Sequence, residues 1–357
     1  MIQRNWWKAL SVIILLYVII AGMLFPLKPG ISMVEPRSAR TGDLVTLRVE
    51  GYNSNFKQAD GAIRAWLKLD DEYFLGAQHI RVHNDQQLNV VFQLPEALPS
   101  AQKVQEMTLI LDNPVDGSSL LPNALFVTQQ SVNPALGTQT WPHAPLDNLH
   151  TRRGIAFPFR NILSETIRNT YFHVALWLAM VLLFINALIQ SIRYLRTYDA
   201  NYDRRAVAFT SVGVFYGILG VVTGAIWAKH TWGAYWSWDV KQNMTAISLL
   251  IYFAYFVLRN AFEDQEKKAR LAAVYNIFAF VALIPLIYVI PRMTDSLHPG
   301  AGGNPAFGSQ DLDNTMRLIF YPAVIGWALL GIWIAQISYR LKRVQAILFE
   351  YSDTSDN

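Results

Sequence analysis

Residues 206–239 run AVAFTSVGVFYGILGVVTGAIWAKHTWGAYWSWD. From Ala206 to Ala228 the stretch is apolar, broken only by Thr, Ser and Gly. That length meets the roughly 20 residues a helix needs to cross a bilayer. Beyond His230 the character changes. Trp232, Tyr235, Trp236 and Trp238 crowd into a short loop that closes on the carboxylate of Asp239. Aromatic residues at a bilayer surface usually form an interfacial belt. This density, ending on an acid, instead suits a surface for a large flat apolar ligand with polar edges.

Five further apolar segments flank this one, giving spans at roughly 9–27, 171–192, 206–228, 243–259, 271–290 and 316–337. The first is read as a retained helix, because Gly22-Met23-Leu24-Phe25-Pro26 offers no small-x-small cleavage site. Basic residues cluster after alternate spans: Arg4 and Lys8; Arg193, Arg196, Arg204 and Arg205; Arg259, Lys267, Lys268 and Arg270; Arg340, Lys342 and Arg343. By the positive-inside rule all four clusters and both termini fall in the cytoplasm. The aromatic loop (229–242), the loop at 291–315 and the region 30–165 then fall on the outer side.

The span interiors carry no charged residue or histidine at mid-depth, which argues against an ion or proton pathway. Gly213, Gly217, Gly220 and Gly224 form a small-residue stripe, expected to let a neighbouring helix approach closely. Pro285 is expected to kink the fifth span. The chain is 52% hydrophobic and only 16% charged, and its net charge of +4 sits at span ends rather than in one patch, so nucleic acid is not an expected partner. With no cysteine, disulfides and thiolate metal sites are excluded.

Between spans one and two, short alternating runs at Leu44–Val49, Ala65–Leu69, Leu88–Phe92 and Met107–Leu111 predict strands separated by turn residues. The opening from Ser32 to Asp43 loosely resembles Ig-like IPT/TIG modules. The expected architecture is therefore an α-helical polytopic membrane protein of six transmembrane helices with an inserted all-β Ig-like extracytoplasmic domain. Its parts are an N-terminal helix (1–29), the β-sandwich domain (30–130), a Pro-rich linker (131–165), a five-helix membrane domain (166–345) and a cytoplasmic tail (346–357). His79 and His83 read as surface residues of one strand face.

Two histidines fall on the same side as the aromatic loop: His173 at the start of the second span, and His298 in the loop after the fifth. Flanking an aromatic platform, they suggest two imidazoles approaching one iron from opposite sides, since imidazole is a common axial ligand of heme. Trp faces suit a porphyrin plane, and Arg168 and Lys241 suit its propionates. Were 232–239 helical, Trp232, Tyr235, Trp236 and Asp239 would share one face. Asp239 could orient the loop, cap the fourth span or approach a propionate. His230 reads as interfacial or supporting.

Trp232-Gly233, Trp236, Trp238 and Asp239 resemble the tryptophan-rich WWD signature of the cytochrome c assembly (CcmC/CcsA-type) family of heme-handling membrane proteins. The layout, with the signature between spans three and four, is most similar to the family's exporter-subunit branch. His173, in Tyr171-Phe172-His173-Val174, and His298, in Ser296-Leu297-His298-Pro299-Gly300, stand where that branch has two outer histidines. Arg168 stands where the family has an arginine. Lys241 replaces another, keeping the charge but losing the bidentate fork. The resemblance covers about 170–340 plus the first span; the exporter subunit has no β-rich domain between spans one and two.

The resemblance implies that heme b is held at the outer face of a bacterial cytoplasmic membrane. It would then pass to a heme chaperone during c-type cytochrome maturation. Partners would include other maturation membrane subunits and an ATP-binding-cassette complex, with no covalent chemistry on this chain. A rival is a synthase attaching heme to apocytochrome c, whose relatives carry extra histidines within spans that are lacking here between 206 and 290. A third reading, a b-type electron-transfer cytochrome, would place histidines inside helices.

Overall fold

The computed structural model describes residues 5–152, 154–299 and 312–355. Arg4 and the Gly300 of the second histidine motif lie outside these. In chain order come helix α1 (Trp6–Leu24) and nine strands: β1 (Gly30–Glu35), β2 (Ser38–Arg40), β3 (Leu44–Tyr52), β4 (Arg64–Lys68), β5 (Phe74–Gly76), β6 (His79–Asn84), β7 (Gln87–Gln93), β8 (Val104–Asn113) and β9 (Gly117–Thr128). Then come helices α2 (Pro134–Thr140), α3 (His173–Thr197), α4 (Ala200–Trp232), α5 (Val240–Asn260), α6 (Gln265–Ile284), α7 (Ile290–Met293) and α8 (Asn314–Ser355). The chain divides into two compact units, Pro26–Ser164 and the remainder.

The unit Pro26–Ser164 holds two sheets, ordered β1-β3-β7-β6 and β2-β9-β8-β4-β5. Strand β3 shows why: every second side chain (Val45, Leu47, Val49) is buried and the intervening ones face outward, the period-2 pattern of a half-buried strand. Leu88, Val90 and Phe92 of β7 alternate likewise, and Leu67, Leu109, Leu125 and Val127 from the other sheet join the same core. Beyond the strands, Asn133 caps α2 by accepting from the Leu136 amide at 3.1 Å, with Pro134 at the first helical position, where its missing N–H costs nothing. Trp141 continues into the core and is buried. His79 and His83 lie on β6, a sheet-edge strand, and both are exposed.

This is not the expected all-β Ig-like insert. The unit also carries α2 and a 3₁₀ turn at Phe56–Ala59. Its edge strand β2 pairs parallel with β9, whereas immunoglobulin sheets are antiparallel. The six-span count is also corrected. Among the described residues five helices are long and apolar enough to cross a membrane: Trp6–Leu24, Ser164–Thr197, Ala200–Trp232, Gln265–Met293 and Asn314–Leu348. The expected span at 243–259 is helical within α5. Lys241, Gln242 and Asn243 open that helix and Arg259 nearly closes it, so its apolar run is short.

In the helical unit the glycine stripe of α4 packs against α3. A Cβ on Gly213 would meet the Phe184 ring at 2.5 Å, and one on Gly220 would meet Trp177 at 2.8 Å. Phe184 in turn stacks on Tyr252 of α5, ring centres 3.8 Å apart. Helix α1 lies along α8, where Ser11 Oγ donates to the Gly326 carbonyl at 3.2 Å. Asn276 of α6 donates to Ser191 and Thr210 at 3.0 and 3.2 Å, joining α3, α4 and α6 inside the bundle. Past α6, Pro285–Val289 forms a π-helical turn. Proline removes a backbone donor and so shifts the local hydrogen bonding.

Candidate functional site

Helix α4 ends where the aromatic loop begins, and the sequence dictates the ending. Gly233 adopts φ +85° and returns its N–H to the Lys229 carbonyl at 3.1 Å, the left-handed helix terminator that glycine allows without strain. Lys229 Nζ donates to the Gly233 carbonyl at 2.9 Å. The loop is therefore not a helical continuation, and the one-face arrangement of Trp232, Tyr235, Trp236 and Asp239 does not form. Trp238, at φ +59°, points outward and is 78% exposed; Tyr235 is 60% exposed. Trp238 meets Trp236 edge-on, ring centres 6.3 Å apart. Gln242 of α5 fixes the loop, its Oε1 accepting from Ser237 N and Oγ at 2.9 and 3.2 Å.

His173 opens α3 and fits a notch in α4: a Cβ on Gly224 would lie 2.6 Å from its Cε1. Its Nδ1 donates to the Gly220 carbonyl at 2.9 Å, with Thr223 Oγ1 at 3.2 Å. A carbonyl can only accept, so the ring proton sits on Nδ1 and Nε2 keeps its lone pair. His298 repeats the device. Its Nδ1 donates to the Pro299 carbonyl at 2.9 Å. Burial, and then the nearby ammonium of Lys241, push its pKa down to about 3, against the opposing pull of that carbonyl. At neutral pH this imidazole is an uncharged electron-pair donor.

The two ring centres lie 6.3 Å apart with planes inclined at 42°. Aromatic side chains close around them. Trp177 lies edge-on to His173 at 6.2 Å, and Trp227 and Trp232 lie 6.0 and 6.3 Å from His298. Trp227 and Trp232 also meet edge-on, 4.9 Å apart.

Asp239 is the joint of the site. One carboxylate oxygen accepts from the Lys241 amide at 2.9 Å and caps α5. The carboxylate also accepts from Ser296 Oγ at 2.9 and 3.0 Å and from the Leu297 amide at 2.9 Å. Ser296 Oγ in turn accepts from the His298 amide at 3.1 Å. The loop thereby holds the segment that carries the second imidazole.

Among the residues chosen from sequence, the structure thus brings together His173, His298, Trp232, Asp239 and Lys241. Trp236 and Trp238 form a second aromatic pair on the loop, and Tyr235 lies under Lys229, 5.8 Å from its ring centre. Arg168 is directed elsewhere: it donates to Glu165 at 2.6 Å and to the Gly22 and Phe25 carbonyls at the end of α1, at 2.7 and 2.8 Å. His230 is exposed. Sequence reasoning passed over Trp177, Trp227, Gln242 and Ser296. Trp177 and Trp227 were hidden as ordinary span residues, although Trp177 stands four residues after His173, one helical turn on.

The family model for heme exporter protein C matches residues 156–353. A heme exporter protein C of Haemophilus influenzae is 28% identical over 136 residues, 38% of this chain and 54% of that one. One of Paracoccus denitrificans is 26% identical over 187 residues, covering 51% and 77%. A cytochrome c biogenesis protein CcsA of Prochlorococcus marinus is 34% identical over 89 residues, 25% of this chain and 28% of that one. The chain thus spans about half the length of the Haemophilus relative. With the family match extending over more than half of its residues and five membrane-length helices, this is a multi-pass membrane protein that belongs to the heme exporter protein C family.

Proposed function

We propose that this chain binds heme b between His173 and His298 and releases it to a heme chaperone during c-type cytochrome maturation, working with other membrane subunits including an ATP-binding-cassette complex. The observation that carries this reading is the pair of imidazoles with ring centres 6.3 Å apart, each with Nδ1 occupied by a carbonyl. Were both Nε2 atoms turned toward one metal, two metal–nitrogen bonds of about 2 Å, plus about 1.2 Å from each nitrogen to its ring centre, would set the ring centres roughly 6.4 Å apart. The donor set fits a hemic iron: two neutral imidazoles with their tautomers fixed from behind, walled by indoles.

The two imidazoles differ in how they are held. His173 is set in a helix-helix notch. His298 stands on a segment fastened through Ser296 and Leu297 to one carboxylate. Binding between a fixed and a detachable ligand suits a carrier, because opening the Asp239 clasp weakens one bond and leaves the cargo on the other. The basic clusters at the far ends of α3, α5 and α8 support an outer-face position for this site in a bacterial cytoplasmic membrane.

The test is the absorption and electron paramagnetic resonance spectrum of the full chain purified in detergent after expression with heme supply. A low-spin two-imidazole signature is expected, lost or changed in both His173→Ala and His298→Ala. Unchanged heme content and spectrum in the double variant would overturn the reading.

A further inference from the structure

At the end of the bundle away from the histidines lies a cavity of about 500 Å³ between α1, α3, α4 and α8, lined among others by Trp7, Asn186, Gln190, Arg205, Gln336 and Arg340. Gln190 is seventeen residues along α3 from His173, which at 1.5 Å per residue places it about 25 Å away. The cavity is graded in polarity. Arg205 and Arg340 are exposed at its mouth, while Gln190 is only 7% exposed. The arginine side is organised: the Arg205 guanidinium lies over the Tyr202 and Tyr339 rings at 5.8 and 5.2 Å. Tyr339 is itself anchored by donating to Asn201 at 3.2 Å.

We infer that this cavity binds the headgroup of an anionic phospholipid. Two guanidinium groups at the mouth match a phosphate, which accepts paired N–H bonds from arginine better than from any other side chain. Trp7 and Phe209 provide apolar wall for the lipid's carbon atoms. Basic pockets at the ends of membrane helices are a recurrent setting for anionic headgroups. The inference stands independently of the heme site.

The experiment uses the full chain, delipidated in detergent, with lipid retention read by native mass spectrometry. Phosphatidylglycerol is expected to be retained about ten-fold over phosphatidylcholine. The R205Q/R340Q double variant should lose that preference. Both arginines are exposed, so the double variant is expected to keep the wild-type melting temperature; retention of the preference in it overturns the inference. Equal binding of phosphatidylcholine overturns it as well. Full competition by free glycerol phosphate at the concentration of the lipid would assign the site to a soluble phosphate and overturn the lipid assignment. Displacement of the lipid by hemin, with hemin binding lost in R205Q/R340Q, would do the same.

Discussion

Replacing Asp239 with alanine separates the aromatic loop from the segment that bears His298, and its bonds set the expected size of the effect. The carboxylate accepts from Ser296 Oγ and Leu297 N, all within 3.0 Å, and caps α5 through Lys241 N at 2.9 Å. Because the group is only partly buried, each of the two links to the 296–297 segment is valued at about 1 kcal/mol, below the usual range for charged acceptors. Their loss, about 2 kcal/mol, raises the undocked population of the segment about thirty-fold. The lost cap weakens the first turn of α5 by about another 1 kcal/mol. Hydrogen exchange of the full chain in detergent reads both effects. Amides 296–298 should exchange about thirty-fold faster and the first turn of α5 moderately faster, with α3 and α6 unchanged. D239N keeps an acceptor oxygen but loses the charge, and should fall between. Under the proposed function, heme retention should drop in the same order: wild type, D239N, D239A. Unchanged exchange at 296–298 in D239A would refute the view that this carboxylate holds the second histidine.

Other substitutions probe the remaining supports. Gly224→Ala places a methyl 2.6 Å from His173 Cε1; overpacking of this kind costs about 1–3 kcal/mol, and it should displace the ring from the Gly220 carbonyl, lowering heme content more than protein yield. Trp227→Ala removes an indole beside His298 and should reduce heme retention while leaving the far-ultraviolet circular dichroism intact; equal loss of protein would assign the indole to the fold alone. In the sheet unit, burial tends to raise the Asp112 pKa, but hydrogen bonds from Arg64 and His150 hold it below the ordinary value. Its folded value is thus depressed, so its stabilising contribution is present above the unfolded pKa of about 4 and is lost as the pH falls through the folded value. Thermal unfolding measured from pH 6 to 3 should show that loss in wild type and a flatter profile in Asp112→Asn.

The membrane-length helices were legible because each rests on one strong signal: a sustained apolar run ended by a charged or glycine-containing turn. Where the signal was mixed, the expectation failed. Residues 243–259 have the periodicity of a helix, and they form one, but Lys241, Gln242 and Asn243 at one end and Arg259 at the other leave α5 short of the apolar length of its neighbours. In the sheet unit the four strands with clear alternation lie close to their expected positions. The short edge strands β2 and β5 and the exposed β6 carry little buried surface, so their pattern is too weak to read. Helix α2 was missed because its starting signal, Asn133-Pro134, serves a turn equally well, and the short polar run Gly137–Thr140 carries no apolar stripe to mark it as helix.

The candidate site was legible in its chemistry and not in its wiring. Histidines and tryptophans announce themselves by type, so His173, His298 and the aromatic loop could be singled out without any fold. Which groups hold them could not. A serine at 296 and a glutamine at 242 have no sequence signature of their own and acquire meaning only when Asp239 and Ser237 come within 3 Å. Arg168 makes the converse point. A cation five residues before a histidine looks like a partner for an anionic ligand, yet the 3₁₀ turn that carries it aims the guanidinium at the α1 carbonyls. Helix ends leave carbonyls unsatisfied, and the nearest arginine met that need. The glycine stripe lies between these cases: its spacing foretold close helix packing, but only the structure reveals that its last two members receive Trp177 and His173. Close packing of α3 on α4 and the seating of the first imidazole are therefore one feature. A variant that loosens the helix pair at Gly220 or Gly224 should disturb ligand geometry before it disturbs the fold.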